Sequence, residues 1–273
     1  MHGKTVLVTG STDGVGRYVA AKLAAAGAKV LIHGRDRDRA KALADEIRRA
    51  GHGEAVFYQA DLSSLAGARQ LADAVLAGHK RLDVFISNAG IGSRTQGAER
   101  RESVDGYELR FAVNYLSGFL LAHLLLPLLK AGAPSRIVNV ASLGQHPIDF
   151  DDVMLTKDYS GSRAYAQSKL AQIMFTIDLA RELSGFGVMV NSLHPATYMN
   201  TTMVREGGIT PISTVEQGGD AILHLAAGDD MVGKTGLFFN GMREAKANPQ
   251  AYDDVARKRL RDLSLELTGL ASS

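Results

Sequence analysis

The sequence predicts an α/β fold: a doubly wound, seven-stranded parallel sheet in a single domain, residues 1–273, that ends in a C-terminal helical extension. Seven short β-branched runs alternate with longer helix-like segments along the chain. Near-continuous apolar strands separated by helices are typical of a parallel sheet that helices cover on both faces. The chain contains no linker, internal repeat or low-complexity run, and α/β folds of about 250 residues are often one domain.

The individual elements follow from their apolar patterns. The predicted strands are Thr5–Val8, Lys29–His33, Ala55–Tyr58, Val84–Ser87, Arg136–Val140, Val188–Leu193 and Leu237–Asn240. The predicted helices are Arg17–Ala26, Arg37–Ala50, Leu65–Leu76, Gly106–Leu129, Arg163–Leu183 and Thr214–Ala226, with the extension at roughly Ala251 to Leu267. The pattern leaves open whether this last helix packs on its own subunit or on a partner.

Composition excludes several classes of site. The chain has no cysteine, which rules out disulfides, thiolate metal sites and cysteine nucleophiles, and with eight scattered histidines we expect no metal. Its 31 basic and 29 acidic residues are interspersed, so we expect no nucleic-acid partner. The basic cluster Arg257-Lys258-Arg259 is predicted to be a solvated helix face.

The sequence also predicts a cytoplasmic protein without a membrane anchor. The first strand begins at Thr5, which leaves no room for a targeting segment before it. The most apolar stretch, Phe119 to Leu129, has eleven residues and is too short to cross a bilayer.

A glycine-rich turn follows the first strand and opens the first helix. It reads Thr9-Gly10-Ser11-Thr12-Asp13-Gly14-Val15-Gly16. Glycines at such a turn allow the backbone to approach a pyrophosphate, and the helix N-terminus offers free N–H groups and the positive end of its dipole. We therefore predict a dinucleotide site here; the alternative is a merely structural turn.

The end of the second strand favours NADP(H) over NAD(H). The sequence there is His33-Gly34-Arg35, where NAD-binding relatives of this fold carry an acidic residue that binds the adenosine ribose. A guanidinium can instead bind a 2′-phosphate through paired, charge-assisted hydrogen bonds. Alternatively, Arg35 simply begins an exposed helix.

Two later segments reach the same edge of the sheet. Asp61-Leu62 follows the third strand, and Asn88-Ala89-Gly90 follows the fourth. Spacing alone leaves it open whether Asp61 contacts adenine or caps the next helix, and whether Gly90 serves only a turn.

The candidate reaction centre lies on the predicted helix Arg163–Leu183. Tyr165 and Lys169 are four residues apart, so they share one helix face. A nearby ammonium is expected to lower the pKa of the phenol and make it a useful general acid/base. Ser142, just past the fifth strand, can donate a hydrogen bond to a developing alkoxide, and Asn114 is an unusual polar residue in its apolar helix.

Together these residues resemble the short-chain dehydrogenase/reductase family over essentially the whole chain. The carriers, in the order of that family, are Thr9-Gly10-x-x-x-Gly14-x-Gly16, Asp61-Leu62, Asn88-Ala89-Gly90, Asn114, Ser142, Tyr165-x-x-x-Lys169 and His194-Pro195. The resemblance implies a Rossmann-type domain in which Tyr165 donates the proton, Lys169 also holds the nicotinamide ribose, Ser142 orients the carbonyl and Asn114 keeps a water in a proton relay.

The same resemblance implies further cofactor contacts. It assigns Asp61 to adenine, Asn88 to Gly90 to the sheet beside the cofactor, and Pro195 and Tyr198 to the nicotinamide end. The family's usual Pro-Gly is Pro195-Ala196 here, and its threonine five residues after that proline is replaced by Asn200. These departures put the carboxamide contacts in doubt, but not the reaction.

Within the family, the segment from Ile148 to Ser160 is similar to the retinol dehydrogenase and WW-domain oxidoreductase branch. That branch acts on lipophilic carbonyls and alcohols, mostly with NADP(H), and the anchor of many of its members is absent here. Relatives commonly pair subunits through helices that correspond to Gly106–Leu129 and Arg163–Leu183, so a homodimer or homotetramer is considered, with the extension either adding to or blocking that interface.

The sequence thus predicts an NADPH-dependent reductase of a ketone or aldehyde, or the reverse alcohol oxidation, with a bulky lipophilic or aromatic substrate. The predicted pocket rim, Gly92–Glu99, Gln145–Ser160 and Tyr198–Ser213, contains Phe150, Met154, Tyr198, Met199 and Met203. One alternative is a polyketide- or 3-oxoacyl-thioester-type ketoreductase, against which the long segment Leu143–Ser162 argues. A second is a non-catalytic NADP(H)-binding regulator, which typically lacks the tyrosine or the lysine.

Overall fold

The computed structural model describes residues 1–94 and 99–271 and confirms the doubly wound α/β fold. The strands are β1 (Thr5–Val8), β2 (Lys29–Gly34), β3 (Glu54–Gln59), β4 (Val84–Ser87), β5 (Ser135–Val140), β6 (Val188–His194), β7 (Phe238–Asn240) and β8 (Arg243–Ala245). They form one sheet in the order β3-β2-β1-β4-β5-β6-β7-β8. The order reverses between β1 and β4, and in open α/β sheets ligands bind at such a switch point, beyond the carboxyl ends of the strands.

The sheet differs from the prediction at one edge. The seven predicted strands are parallel, but Arg243–Ala245 adds an eighth strand that pairs antiparallel with β7. This three-residue strand is mostly charged and exposed, so it lacks the apolar run by which strands are recognised in a sequence.

The helices cover both faces of the sheet. They are α1 (Gly14–Ala25), α2 (Arg37–Ala50), α3 (Leu65–Gly78), α4 (Ser117–Leu124), α5 (Leu126–Ala131), α6 (Gly161–Glu182), α7 (Thr202–Glu206), α8 (Val215–Ala227) and α9 (Asp254–Thr268). A π-helical turn, Phe111–Leu116, precedes α4, and 3₁₀ turns occupy Asp229–Met231 and Pro249–Tyr252. Alternate strand residues face the two cores: Leu7 and Phe85 one, Val6 and Val84 the other.

Local sequence explains where the helices begin and end. The Asp36 side chain accepts hydrogen bonds from Asp38 N and Arg39 N at the start of α2, and Gly51 ends that helix in the left-handed region at φ 73°. Thr214 and Gln217 form a reciprocal capping box at the start of α8.

The predicted helix Gly106–Leu129 is wrong as one continuous element. Residues 106–108 precede the helical part, which includes the π-helical turn. Helix α4 ends at Leu124, and α5 begins at Leu126. Pro127 lies at the start of α5, and a proline ring crowds the carbonyl four residues earlier and lacks the N–H for that hydrogen bond. The break follows from that residue.

Helix α9 packs on its own chain. Ser264 Oγ lies 2.7 Å from Tyr115 Oη in a buried contact. Arg257 is only 2% exposed, and its Nε donates to Asp178 Oδ1 on α6 at 2.7 Å. The prediction of a solvated face is therefore wrong for Arg257, because the partly exposed carboxylate of Asp178 compensates for its desolvation. Subunit pairing stays a prediction.

Candidate active site

The glycine turn brings three backbone segments into contact. Gly10 has a positive φ of 65°, and a methyl group on it would lie 2.9 Å from Ala89 Cα. A methyl group on Gly16 would overlap the carbonyl oxygen of Gly10 and the side-chain amide of Asn88. Glycine is therefore required at both positions, and the turn lies directly against the end of β4.

Helix α1 begins earlier than predicted, at Gly14 rather than Arg17. Asp13 caps it by accepting a hydrogen bond from Gly14 N at 2.8 Å. The two glycines obscured this start because glycine has poor helix propensity. The earlier start places Gly14, Val15 and Gly16 in the first turn, where backbone N–H groups have no partner within the helix.

The Ser11 side chain and the Gly10 backbone of the turn both bond to His33 on β2. Ser11 is fully buried, and its hydroxyl accepts from His33 N at 2.8 Å. Gly10 N donates to His33 Nδ1 at 3.1 Å, and burial lowers the pKa of His33 to about 4. The neutral imidazole that results can accept this bond. Ser11 thus links the turn to β2 rather than presenting its hydroxyl to the cleft.

The end of β2 has no room for an acidic side chain. A Cβ on Gly34 would lie 2.5 Å from Thr12 Oγ1. Arg35 comes next and is exposed; its carbonyl accepts from Gln59 Nε2 at 2.9 Å. Within residues 1–94 and 99–271 its guanidinium has no ion-pair partner. In contrast, Arg39 pairs with Asp13 at 2.9 Å.

Asn88 ties the end of β4 to the turn. Its side-chain amide donates to the carbonyls of Thr9 at 2.9 Å and Gly10 at 3.2 Å. Thr9 Oγ1 in turn accepts from Asn88 N at 3.0 Å and Ala89 N at 3.1 Å. These four bonds join β1 to β4, and Thr9 is a residue to which sequence reasoning gave no role of its own.

Asp61 and Leu62 lie at the same edge, after β3. Ser64, not Asp61, caps α3 by accepting from Gly67 N. Asp61 Oδ1 accepts from Ser63 N at 2.9 Å, and its side chain is exposed, while Leu62 is buried. Helix capping, one of the two readings of Asp61, is thereby excluded.

The reaction centre forms where α6 passes the end of β5. Ser142 Oγ accepts a hydrogen bond from Gly144 N at 3.0 Å and lies close enough to the Tyr165 hydroxyl to lower its pKa. Ser142 follows β5 closely, and Tyr165 lies near the start of α6. Ser160 starts that helix by capping Arg163 N.

The electrostatics of Tyr165 differ from the expectation. Burial raises the pKa of Tyr165 above its usual value; the Ser142 hydrogen bond opposes this, and the nearby Tyr198 adds to it. Lys169 Nζ lies 5.7 Å from the centre of the Tyr165 ring and is not among the causes of the shift in the Tyr165 pKa. The expected lowering of the pKa by Lys169 is therefore wrong for this geometry, because desolvation of the phenol dominates.

Lys169 is buried, with 5% of its surface exposed. Its ammonium donates to the Val140 carbonyl and to Gln172 Oε1, both at 2.8 Å. Burial lowers the pKa of Lys169 to about 7. Gln172 escaped sequence reasoning, although its spacing from Tyr165 and Lys169 puts all three on one helix face.

Asn114 lies in the π-helical turn and organises the backbone after β4. Its Oδ1 accepts a hydrogen bond from Ile91 N at 2.8 Å. Its Nδ2 donates to Ile91 O at 3.2 Å and to Ser168 Oγ at 3.0 Å. A methyl group on Gly90 would lie 3.1 Å from Asn114 Oδ1 and 3.7 Å from Lys169 Nζ. Asn114, Gly90 and Lys169 are therefore adjacent.

The segment after β6 folds back over the glycine turn. Pro195 is buried, and a methyl group on Gly14 would lie 3.3 Å from Thr201 Cγ2. Tyr198 is 49% exposed and has a positive φ of 45°, a conformation that is costly for a residue with a side chain. Asn200, which replaces the family's threonine, accepts from Arg205 at 2.6 Å.

A buried polar cluster holds the loops on the substrate side. Arg110 donates to Tyr159 Oη at 2.7 Å and to the carbonyl of Ser93 at 3.1 Å. Tyr159 donates to Glu108 Oε1 at 3.0 Å, and burial, with Glu108 as a further cause, raises the pKa of Tyr159 to about 12. Sequence reasoning missed this cluster because its members come from separate segments with no shared motif.

The residues predicted to line the rim of the substrate pocket are divided between the core and the surface. Phe150 and Met154 pack against the core, whereas Tyr198 and Met203 are exposed at 49% and 37%. Residues 95–98 of the predicted rim lie outside the described residues.

A family model described as short chain dehydrogenase matches residues 4–209, well over half of the chain. The chain belongs to the short-chain dehydrogenase/reductase family. Members of this family are oxidoreductases that use nicotinamide cofactors. The chain is 38% identical to retinol dehydrogenase 14 of Homo sapiens over 299 residues, covering 99% of this chain and 88% of that protein. The predicted resemblance to the retinol dehydrogenase-like branch is confirmed.

Solved structures agree on the architecture. An uncharacterized protein from Mycobacterium Paratuberculosis superposes with a TM-score of 0.79 at 30% identity, covering 98% of this chain and 94% of that chain. The Pseudomonas aeruginosa RhlG/NADP active-site complex superposes with a TM-score of 0.71 at 30% identity, covering 88% and 95%.

Two features are absent from the described part of the chain. None of its helices combines the length and apolar character needed to span a bilayer. No group of three or more histidine or acidic side chains in it is arranged to hold a metal ion.

Proposed function

We propose that this protein is an NADPH-dependent reductase of lipophilic ketones or aldehydes, and of the corresponding alcohols in the reverse direction. The observation that carries the proposal is the adjacency of Ser142, Tyr165 and buried Lys169, with Lys169 close to Gly90 in the segment that contacts the glycine turn. The chemistry that NADPH supplies when bound is hydride transfer to the carbonyl carbon.

The cofactor proposal rests on shape and charge. The turn lacks side-chain atoms where Gly10 and Gly16 meet neighbouring backbone, and the first turn of α1 offers free N–H groups to a pyrophosphate. Gly34 leaves no carboxylate beside the ribose, and the unpaired Arg35 guanidinium suits a 2′-phosphate. We propose that the exposed Asp61 contacts adenine and that Pro195 and Tyr198 contact the nicotinamide.

The proton chemistry falls to Tyr165. Its pKa is raised by burial, so the phenol is protonated at neutral pH, which is the form that a general acid needs. As hydride reaches the carbonyl carbon, the C=O electron pair moves to oxygen, and that oxygen takes the Tyr165 proton. Ser142 donates a hydrogen bond to the same oxygen, and the Lys169 ammonium offsets the phenolate that remains.

The substrate proposal rests on the exposed apolar side chains near the reaction centre. Leu143 is 46% exposed, Tyr198 49%, Met203 37% and Ile212 69%. Leu143 follows Ser142 directly, and Ile212 N donates to the Tyr198 carbonyl at 3.0 Å; we propose that these side chains border the substrate site. Apolar surface at a cleft mouth favours a lipophilic ligand.

The experiment is NADPH consumption across a panel of retinal, aryl ketones, quinones and 3-oxoacyl thioesters. We expect turnover of retinal or of aryl ketones that depends on Tyr165, with the Tyr165→Phe variant as the control. Preferred turnover of thioesters would favour the ketoreductase alternative. Tight NADPH binding without turnover of any class would contradict the proposed activity and favour the regulator.

A further inference from the structure

The Lys169 ammonium is buried, and its charge needs hydrogen-bond acceptors. An ammonium has three N–H donors, and burying it without partners is strongly unfavourable. Two of the donors have short bonds, to the Val140 carbonyl on β5 and to Gln172 Oε1 on α6, both 2.8 Å. The backbone acceptor is independent of side-chain identity, so Gln172 is the one side chain among these two partners that substitution can change.

Gln172 is itself held in place. It lies one turn beyond Lys169 on α6, with 3% of its surface exposed. The backbone carbonyl of Gln172 accepts a hydrogen bond from Thr176 Oγ1 at 2.8 Å. Thr176 Oγ1 in turn accepts a hydrogen bond from Asn139 Nδ2 on β5 at 2.9 Å. The backbone of this turn of α6 is thereby joined to the strand that carries Val140. These bonds do not involve the Gln172 side-chain amide, whose Oε1 accepts from Lys169.

We propose that Gln172 is a positioning residue that keeps the Lys169 ammonium charged and fixes it beside Tyr165. Its amide oxygen accepts from the charged form of Lys169 and stabilises that form over the neutral amine. The contact between Gln172 and Lys169 does not depend on any substrate. Only the expected effect on turnover rests on the proposed function.

Among the described residues, Gln172 is the one side chain that accepts a hydrogen bond from the Lys169 ammonium. On α6 the titratable neighbour is Tyr165, and on the π-helical turn it is Tyr115, which is bonded to Ser264. The segment after β6 contributes His194 and Tyr198, and burial lowers the pKa of His194, so it is neutral at neutral pH. Burial lowers the pKa of Lys169 to about 7, and we expect the Gln172 acceptor to oppose that effect.

Two substitutions with opposite consequences test the proposal. Gln172→Leu keeps the volume and removes the acceptor, whereas Gln172→Glu replaces it with a carboxylate. We expect the pKa of Lys169 to fall by about one unit or more in Gln172→Leu, and to rise in Gln172→Glu. The measurement is a pH titration of the ¹³Cε signal of labelled lysine in the full chain, with Lys169→Met to identify the signal.

The matched control is Thr176→Val, which removes a buried hydroxyl one turn further along the same helix. It breaks the bonds to Gln172 O and Asn139 and is expected to lower the melting temperature without moving the Lys169 titration. An unmoved Lys169 titration in both folded Gln172 variants would overturn the proposal, and so would an equal shift in Thr176→Val. If Gln172→Leu does not fold, the expected rise in Gln172→Glu decides alone.

Turnover provides the second readout. In carbonyl reduction, the alkaline limb of the kcat profile follows loss of the Lys169 charge, since the pKa of Tyr165 lies higher. We expect this limb to move to lower pH in Gln172→Leu and to higher pH in Gln172→Glu. Shifted titrations with no carbonyl turnover in any variant would contradict the proposed function alone. Tyr165-dependent turnover with unmoved titrations would contradict the role of Gln172 alone.

Discussion

The cofactor side and the reaction side of the cleft meet at Asn88 and Gly90 but are built in different ways. On the cofactor side, backbone shape dominates: Gly16 has no space for a methyl group, and the charged Arg35 is exposed. On the reaction side, function depends on buried side chains with several partners each, such as Lys169. An exposed charge can therefore be removed without disturbing the fold, whereas a change at the reaction side affects its neighbours as well.

The largest expected effect tests the reaction side. Tyr165→Phe should lower kcat by about 10²- to 10⁴-fold, the usual contribution of general acid catalysis. NADPH affinity should stay within about twofold if the phenol acts only on the proton. Steady-state kinetics and fluorescence titration with NADPH measure the two quantities.

Tyr58→Phe is the matched control, because Tyr58 lies on β3 and its hydroxyl contacts His79 at 2.8 Å, away from the cleft. It should keep full activity. Unchanged kcat in Tyr165→Phe would contradict the division of labour between the two sides.

The intermediate effect tests the cofactor side. Arg35→Ala should weaken NADPH binding by about 10- to 100-fold, the range for loss of a charge-assisted hydrogen bond, and leave NADH almost unchanged. Arg37→Ala serves as a control, because Arg37 is also exposed but donates to Gln59 at 2.6 Å. Titrations with both cofactors measure these affinities. Equal losses of affinity for NADPH and NADH would contradict the assignment of the 2′-phosphate to Arg35.

The smallest effect concerns Ser11, which belongs to the cofactor turn by sequence but to the sheet by contact. Its hydroxyl accepts from His33 N at 2.8 Å. Ser11→Ala should lower stability by about 1 kcal/mol, or about 2–4 °C in melting temperature. The thermal melt and an NADPH titration should show this loss without a change in affinity. A large loss of NADPH affinity at unchanged stability would instead indicate that the Ser11 hydroxyl contacts the cofactor.

The contrast between the two sides also explains how far the sequence could predict the structure. The glycine turn, the seven parallel strands and the face shared by Tyr165 and Lys169 follow from local spacing, which a sequence displays directly. The short charged strand β8 has no such signal.

The environments of the reaction residues could not be predicted in the same way. The raised pKa of Tyr165 depends on burial by segments distant in sequence, and the partner of Lys169 depends on which rotamer the packing allows. Pro127 lies at the break between α4 and α5. The long apolar run around it, however, favours a single helix.

The most direct test of the central claim is transfer of deuterium from NADPH labelled at C4 to the carbonyl carbon of retinal. For wild-type protein, we expect mass spectrometry to find the alcohol heavier by one deuterium at that carbon. The NADPH-loaded Tyr165→Phe variant should form almost none. Equal label from both proteins, or no label from a wild-type protein that binds NADPH and the aldehyde, would contradict the account.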